Sequence, residues 1–169
     1  MNGVQTAQAS LCLDLADEAA TMDLAARLAR LARVGDVIAL SGPLGSGKTA
    51  FARAFIHART VPSAGYEEVP SPTFTLVQTY DAGDAAIHHF DLYRLSHPDE
   101  ARELGIEEAF TDGICLIEWP DRLSERLPFD RLDVALEHGD QEDARTVRLT
   151  GHGAWSDRLS AAFAEASRG

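Results

Sequence analysis

The pattern of apolar and polar positions predicts an alternation of strands and helices. Residues 11–15 are typical of a strand, and apolar residues at spacings of three and four over 20–31 predict an amphipathic helix. The continuous apolar run 37–40 indicates a strand covered on both faces, and a second helical pattern follows over 50–58. This order of elements is that of an α/β domain.

The second half of the chain continues the alternation. The further predicted elements are a hairpin of strands 73–80 and 85–90, two short helices over 97–110 broken at Gly105, a buried strand 114–117, strands near 132–137 and 146–149, and a helix over 154–166. Residues 59–72, rich in Pro, Ser, Gly and Glu, predict a mobile surface loop. We therefore predict one domain over 1–169 with three layers around a mixed parallel and antiparallel sheet, and a flexible N-terminus over 1–10.

The composition and net charge limit the classes of ligand that this domain is expected to bind. The 169 residues are 45% hydrophobic, which suffices for one buried core. The net charge is −12, so a surface that holds a nucleic-acid backbone unaided is not expected. Lys48 is the one lysine among 15 basic residues, which excludes the Asn-Lys-x-Asp guanine-reading motif of most GTPases.

Neither the cysteines nor the apolar runs indicate an extracellular or membrane protein. Cys12 and Cys115 both stand among apolar residues in strand-like stretches, so we expect two small buried thiols and no disulfide. No apolar run approaches the roughly 18 residues of a membrane span, and the first residues lack the pattern of a signal peptide. We expect a cytoplasmic protein.

A phosphate-binding motif lies between the strand at 37–40 and the helix that follows. Residues 42–49 match the P-loop motif G-x-x-x-x-G-K-[ST] at every fixed position, so the predicted three-layer α/β domain is P-loop NTPase-like. Glycines let backbone N–H groups surround an anion, and the start of the helix adds its positive end. Lys48 would reach the β- and γ-phosphates, and the Thr49 hydroxyl would bind Mg²⁺. The predicted nucleotide-binding residues of this segment are Gly42, Gly45, Ser46, Gly47, Lys48, Thr49 and Ala50.

Two acidic residues stand where a P-loop protein places the group that holds metal or activates water. Glu118 follows the apolar run 114–117, and Asp91 follows 87–90. A structural role is open for both, because a carboxylate at a strand end can be solvated or can cap the next turn. His89, Asp91 and Tyr93 would share one face of their strand.

Four segments together resemble one family. They are the P-loop at 42–49, Ser71-Pro72-Thr73-Phe74, His89-Phe90-Asp91-Leu92-Tyr93-Arg94 and Glu118-Trp119-Pro120. In order and spacing they resemble the TsaE family, small bacterial P-loop ATPases of tRNA threonylcarbamoyladenosine (t6A) biosynthesis, from about residue 15 to 134. The resemblance implies a cytoplasmic protein that binds and slowly hydrolyses ATP and works with the TsaB and TsaD proteins. TsaD transfers the threonylcarbamoyl group to adenosine 37 of tRNA, so tRNA would be held mainly by the partners.

The resemblance also implies roles for individual residues. Lys48 contacts the phosphates as a catalytic residue, Thr49 and Glu118 bind Mg²⁺, and Asp91 belongs to the hydrolytic machinery. Thr73 belongs to a switch-like segment near the γ-phosphate. Trp119 either touches the nucleotide or a partner, or is simply a half-buried aromatic residue at a strand end.

Two other functions remain as alternatives. In a small-molecule kinase of shikimate-kinase type, arginines would clamp the substrate; the candidates are Arg94, Arg102, Arg122 and Arg126. A strand hairpin over 71–90, where such kinases need a helical substrate-binding insertion, argues against this alternative. In a nucleotide-dependent assembly module, ATP occupancy rather than turnover would be the output, and the same motifs would serve it.

Overall fold

A computed structural model describes residues 8–60 and 69–164. Its elements in chain order are β1 (Ala9–Leu15), α1 (Glu18–Leu31), β2 (Val37–Ser41), α2 (Lys48–Arg59), β3 (Val77–Asp81), β4 (Ala86–Asp91), α3 (Glu100–Glu103), α4 (Ile106–Asp112), β5 (Gly113–Glu118), a 3₁₀ helix (Pro120–Arg126), β6 (Arg131–His138), β7 (Arg145–His152) and α5 (Ala154–Ala162). The predicted alternation of strands and helices is confirmed.

The seven strands form one mixed sheet in the order β1-β7-β6-β2-β5-β4-β3. Strands β6, β2, β5 and β4 run parallel to one another, whereas β7 pairs antiparallel with both β6 and β1, and β3 pairs antiparallel with β4. Because parallel strands end at one edge of a sheet, Asp91 and Glu118 are brought side by side, directly paired at the ends of β4 and β5. The P-loop follows β2, the other neighbour of β5, so it lies at the same edge.

Helices cover both faces of the sheet, as the alternation along β5 shows. Ile114 and Leu116 belong to the core beneath α1, α2 and α5. Cys115 and Ile117 belong to a second core with Ile106 and the other apolar residues of α3 and α4. The fully buried run therefore packs on two sides, and the prediction of a three-layer α/β fold with a mixed sheet is confirmed.

The first strand differs from its prediction. Residues Ala9 and Ser10 fall within the segment predicted to be flexible, yet they belong to β1 and pair with β7. Since β1 is an edge strand with one face on the core, Leu11 and Leu13 pack inward while Cys12 between them is exposed. The prediction of a buried thiol is therefore wrong for Cys12.

The prediction of a buried thiol is confirmed for Cys115. Burial raises the pKa of its thiol to about 12. Residues 1–7, predicted flexible, and most of the predicted loop, residues 61–68, lie outside the described residues.

Two predicted boundaries also shift. The hairpin is confirmed, but β3 begins at Val77 because residues 72–75 form a turn and Leu76 has a positive φ of 68°. The last helix ends at Ala162 rather than 166. Among the described residues, no helix is long and apolar enough to cross a membrane.

Candidate nucleotide-binding site

The P-loop joins the end of β2 to the start of α2. Gly47 is the residue before the helix and has a left-handed φ of 103°, a conformation that favours glycine. Lys48 and Thr49 then occupy the first turn of α2, where backbone N–H groups have no partner within the helix. The loop therefore presents the positive end of a 12-residue helix to the edge of the sheet.

Lys48 is held against the loop and faces the ends of the strands. Its Nζ donates to the carbonyl oxygens of Gly42 (2.6 Å) and Pro43 (3.0 Å), and lies 4.2 Å from the ring centroid of Trp119. The side chain is only 5% exposed. Burial lowers the pKa of this ammonium, while the charges of Glu118, Asp91 and Asp121 act in the opposite direction.

Glu118 links the P-loop to the sheet. The Thr49 hydroxyl donates to Glu118 Oε1 at 2.9 Å, and His89 Nε2 lies 2.7 Å from Glu118 Oε2. The carboxylate is 2% exposed and the imidazole is fully buried. Both carboxylate oxygens therefore have a partner, one on each side.

Asp91 is held by the switch-like segment. Its Oδ2 accepts a hydrogen bond from the Thr73 hydroxyl at 2.9 Å, and its Oδ1 accepts one from the Tyr93 backbone N–H at 3.0 Å. The Thr73 hydroxyl donates its one proton to Asp91, so it can only accept a hydrogen bond from Ser71. The Ser71 hydroxyl, whose Oγ lies 2.7 Å from Thr73 Oγ1, is therefore the donor of that bond. A directed chain of hydroxyls thus ends at the Asp91 carboxylate.

These side chains surround an open cavity of about 360 Å³. Its lining includes Lys48, Thr49, Asp91 and Glu118 together with the aromatic Trp119. The volume is that of a small-molecule site, and one wall is the helix N-terminus with its lysine. The cavity is therefore suited to a phosphate-bearing ligand.

The donors at the cavity fit Mg²⁺ bound through a nucleotide. The Thr49 hydroxyl and the Glu118 carboxylate are oxygen donors 2.9 Å apart at the mouth of the P-loop. Within the described ranges no group of three or more His, Cys, Asp or Glu side chains could hold a metal alone. Mg²⁺ commonly uses one or two protein oxygens and completes its shell with phosphates and water, so this donor set agrees with the predicted metal site.

Most of the predicted nucleotide-binding and catalytic residues line the cavity. They are Gly45, Gly47, Lys48, Thr49, Ala50, Thr73, Asp91 and Glu118. Ser46 and Gly42 belong to the same loop but do not line the cavity. The Ser46 side chain is fully buried, and its N–H donates to the Pro43 carbonyl. The roles assigned to all ten residues stay predictions.

Arg145, which the sequence analysis did not single out, supports the loop from behind. Its guanidinium donates to the carbonyl oxygens of Ser46 (3.0 Å) and Gly45 (3.3 Å), and also to Glu142 and Ala144 in the turn before β7. Two carbonyls of the P-loop are therefore held by a side chain that does not line the cavity. The contact spans 99 residues of sequence, so no local pattern could have indicated it.

Comparisons with known proteins agree with these features. A family model described as "Threonylcarbamoyl adenosine biosynthesis protein TsaE" matches residues 15–147. A tRNA threonylcarbamoyladenosine biosynthesis protein TsaE from Bacillus subtilis is 37% identical over 134 residues, 78% of this chain and 81% of the relative. The TsaE protein of Rickettsia conorii is 38% identical over 138 residues, 82% of this chain and 77% of the relative.

Similarity in structure extends over nearly the whole chain. The crystal structure of Bacillus subtilis YdiB superposes with a TM-score of 0.73 at 29% identity, covering 97% of this chain and 98% of that chain. The family model covers the P-loop, the switch-like segment and both acids at the sheet edge. This chain belongs to the TsaE family of threonylcarbamoyl adenosine biosynthesis proteins.

Proposed function

We propose that this chain is the ATP-binding and ATP-hydrolysing accessory protein of t6A modification at adenosine 37 of tRNA, acting with TsaB and TsaD proteins. The observation that carries the proposal is the meeting of P-loop, Thr49, Glu118 and Asp91 around one cavity at the edge of the sheet. Family membership supplies the pathway, and this cavity supplies the chemistry.

The P-loop side of the cavity binds the triphosphate. Backbone N–H groups at the start of α2 and the ammonium of Lys48 offset the negative charge of the β- and γ-phosphates. Lys48 leaves its carbonyl partners for the phosphate oxygens, and the face of the Trp119 ring, 4.2 Å from Nζ, stabilises the ammonium charge. Thr49 and Glu118 would hold Mg²⁺, which would supply positive charge to offset that of the phosphates.

The sheet side of the cavity activates water. Each Asp91 oxygen accepts one described hydrogen bond and retains a further lone pair for the attacking water. Asp91 orients this water, and the hydroxyl chain from Ser71 through Thr73 keeps the carboxylate in place. Thr73 also lines the cavity, so loss of the γ-phosphate on hydrolysis would remove a neighbour of the switch-like segment and could change its conformation.

The rim of the cavity supports a role for partners. Leu44, which lines the cavity, is 68% exposed, and Phe74, which follows the cavity residue Thr73 in the chain, is 80% exposed. Large exposed apolar side chains next to a functional site are typical of a surface that another protein covers. Because the chain has a net charge of −12, which repels the phosphate backbone, TsaB and TsaD bind the tRNA.

Two of the four candidate arginines of a small-molecule kinase already have partners within the chain. Arg94 lies over the Phe74 ring at 4.5 Å, and Arg126 pairs with Asp99. The strand hairpin β3–β4 also occupies the place of a helical substrate-binding insertion. These contacts favour an ATPase over a kinase.

The test compares ATP binding and phosphate release for the wild type, Lys48→Ala and Thr49→Ala. Lys48→Ala should abolish detectable turnover, because no other lysine can replace its charge. Thr49→Ala should weaken binding in Mg²⁺ more than binding in EDTA. Arg148→Ala, which removes an exposed cation on β7, is the control and should behave as the wild type. Wild-type turnover by Lys48→Ala would refute the assignment.

A further inference from the structure

His89 is a buried polar side chain that the proposed reaction does not use directly. It lies on β4, is fully buried, and places Nε2 2.7 Å from Glu118 Oε2. On the parallel neighbour β5, its register partner is Leu116, two residues before Glu118. His89 thus contacts the Glu118 carboxylate from the neighbouring strand of the sheet.

His89 does not reach the cavity itself. Among the described residues that line the cavity, Glu118 and Asp91 are present and His89 is not. Since the Glu118 carboxylate accepts, Nε2 of the imidazole donates, and Nδ1 has no hydrogen-bond partner in the described part of the chain. Within residues 8–60 and 69–164, the one hydrogen bond of this ring is therefore directed at Glu118.

We propose that His89 is a positioning residue that fixes the rotamer of Glu118, so that Oε1 faces Thr49 and the metal position of the P-loop. The proposal rests on the proposed function of this site. A glutamate side chain has three rotatable bonds, and its carboxylate can turn unless both oxygens are held. Thr49 holds Oε1 and His89 holds Oε2, one from α2 and one from the sheet.

Removing the donor would leave Glu118 Oε2 buried without a partner. The carboxylate is 2% exposed, so water does not readily replace the imidazole, and the side chain would rotate to regain a hydrogen bond. A partner that orients a metal ligand from behind typically affects metal affinity by about 10- to 100-fold. The effect should therefore appear in the response to Mg²⁺, with little change in metal-free nucleotide binding.

The experiment uses the full chain and a fluorescent non-hydrolysable ATP analogue, mant-AMPPNP, titrated in EDTA and at increasing Mg²⁺. His89→Leu keeps a buried apolar volume without a donor, and His89→Gln restores an N–H at similar reach. His88→Leu is the matched control, because the neighbouring His88 points to Thr79 on the other side of the strand. Unfolding midpoints in urea are measured for every variant.

His89→Leu should raise the Mg²⁺ concentration for half-maximal binding by about tenfold or more, with the EDTA affinity within about twofold of the wild type. His89→Gln should recover most of the loss, and His88→Leu should match the wild type. In a Glu118→Ala background, His89→Leu should cause no further change in the Mg²⁺ response.

An unchanged Mg²⁺ response in folded His89→Leu, or an equal loss in both backgrounds, would overturn the proposal. If His89→Leu does not fold, His89→Asn replaces it, because the shorter amide cannot reach Oε2 as Gln does. Failure of all three variants to fold would assign His89 to the core and also overturn it. A wild type that binds no nucleotide would instead refute the proposed function, so the two failures are distinct.

Discussion

Replacing Gly42, the first residue of the P-loop motif, tests whether that glycine is required by sterics. A Cβ built at Gly42 would lie 2.3 Å from the Leu136 carbonyl oxygen on β6 and 2.6 Å from Ser46 Oγ, and the backbone has φ of +144°. In proteins, a Cβ atom essentially never lies closer than 3.0 Å to a heavy atom of a residue that is not its chain neighbour. In Gly42→Ala either β6 or the start of the P-loop must move.

The size of the effect follows from this geometry. The required movement is at least about 0.7 Å, and a misplacement of about 1 Å in a binding constellation costs on the order of 100-fold. Overpacking and the positive φ together should lower the free energy of unfolding by about 2 to 4 kcal/mol. We therefore expect Gly42→Ala to fold less stably and to bind ATP about 100-fold more weakly.

Gly83→Ala is the matched control for the backbone strain. Gly83 has φ of +86° in the β3–β4 turn, and a Cβ there would meet nothing within 4 Å. It should cost about 1 kcal/mol of stability and leave ATP affinity unchanged. Urea unfolding gives the stabilities, and mant-AMPPNP titration gives the affinities. Wild-type affinity in Gly42→Ala, or an equal affinity loss in both variants, would refute the steric argument.

Three further predictions concern the remaining parts of the site. Asp91→Ala should keep nucleotide binding and lose hydrolysis, whereas Glu118→Ala should also shift the Mg²⁺ dependence; identical magnesium curves would contradict this division of roles. Arg145→Met should weaken ATP binding by about tenfold through loss of its bonds to Gly45 and Ser46, whereas the equal change of charge in Arg148→Met on the same strand should not. The pKa of Lys48 is lowered by burial from 10.5, and phosphate binding needs the charged ammonium, so ATP affinity should fall as the pH rises towards 10.5. Because the pKa of Lys48 is lower in the folded state than in the unfolded state, the folded state favours the neutral amine. The contribution of Lys48 to the free energy of unfolding therefore increases as the pH rises towards 10.5. A titration series from about pH 7 to about pH 10 measures the affinity, and a flat profile for the wild type would contradict the role of Lys48.

The parts of the site that follow from local sequence were predictable. The P-loop could be placed because a buried strand precedes it and a helical pattern follows. Asp91 and Glu118 could be expected at one sheet edge, because each ends an apolar strand. The alternation of residues 11–15 also contained the information that Cys12 faces outward, since it lies between two leucines that pack on the core.

The parts that depend on strand order were not predictable. Nothing in the sequence states that β5 inserts between β2 and β4, and this order alone brings His89 against Glu118. Arg145 lies on β7, about a hundred residues after the P-loop in the chain, and it reaches the loop only because β7 pairs with β6. Hydrogen bonds between distant elements leave no period or spacing that can be recognised.

We propose, as the central point, that the chain hydrolyses ATP and acts together with TsaB and TsaD proteins. The most direct measurement is phosphate release from ATP by the purified chain, alone and with purified TsaB and TsaD proteins, alongside tRNA binding at physiological salt. We predict weak turnover alone, at least a several-fold increase with both partners, no increase for Asp91→Ala, and no tight tRNA binding by the isolated chain. Full turnover without partners, or micromolar tRNA affinity of the chain by itself, would contradict the account.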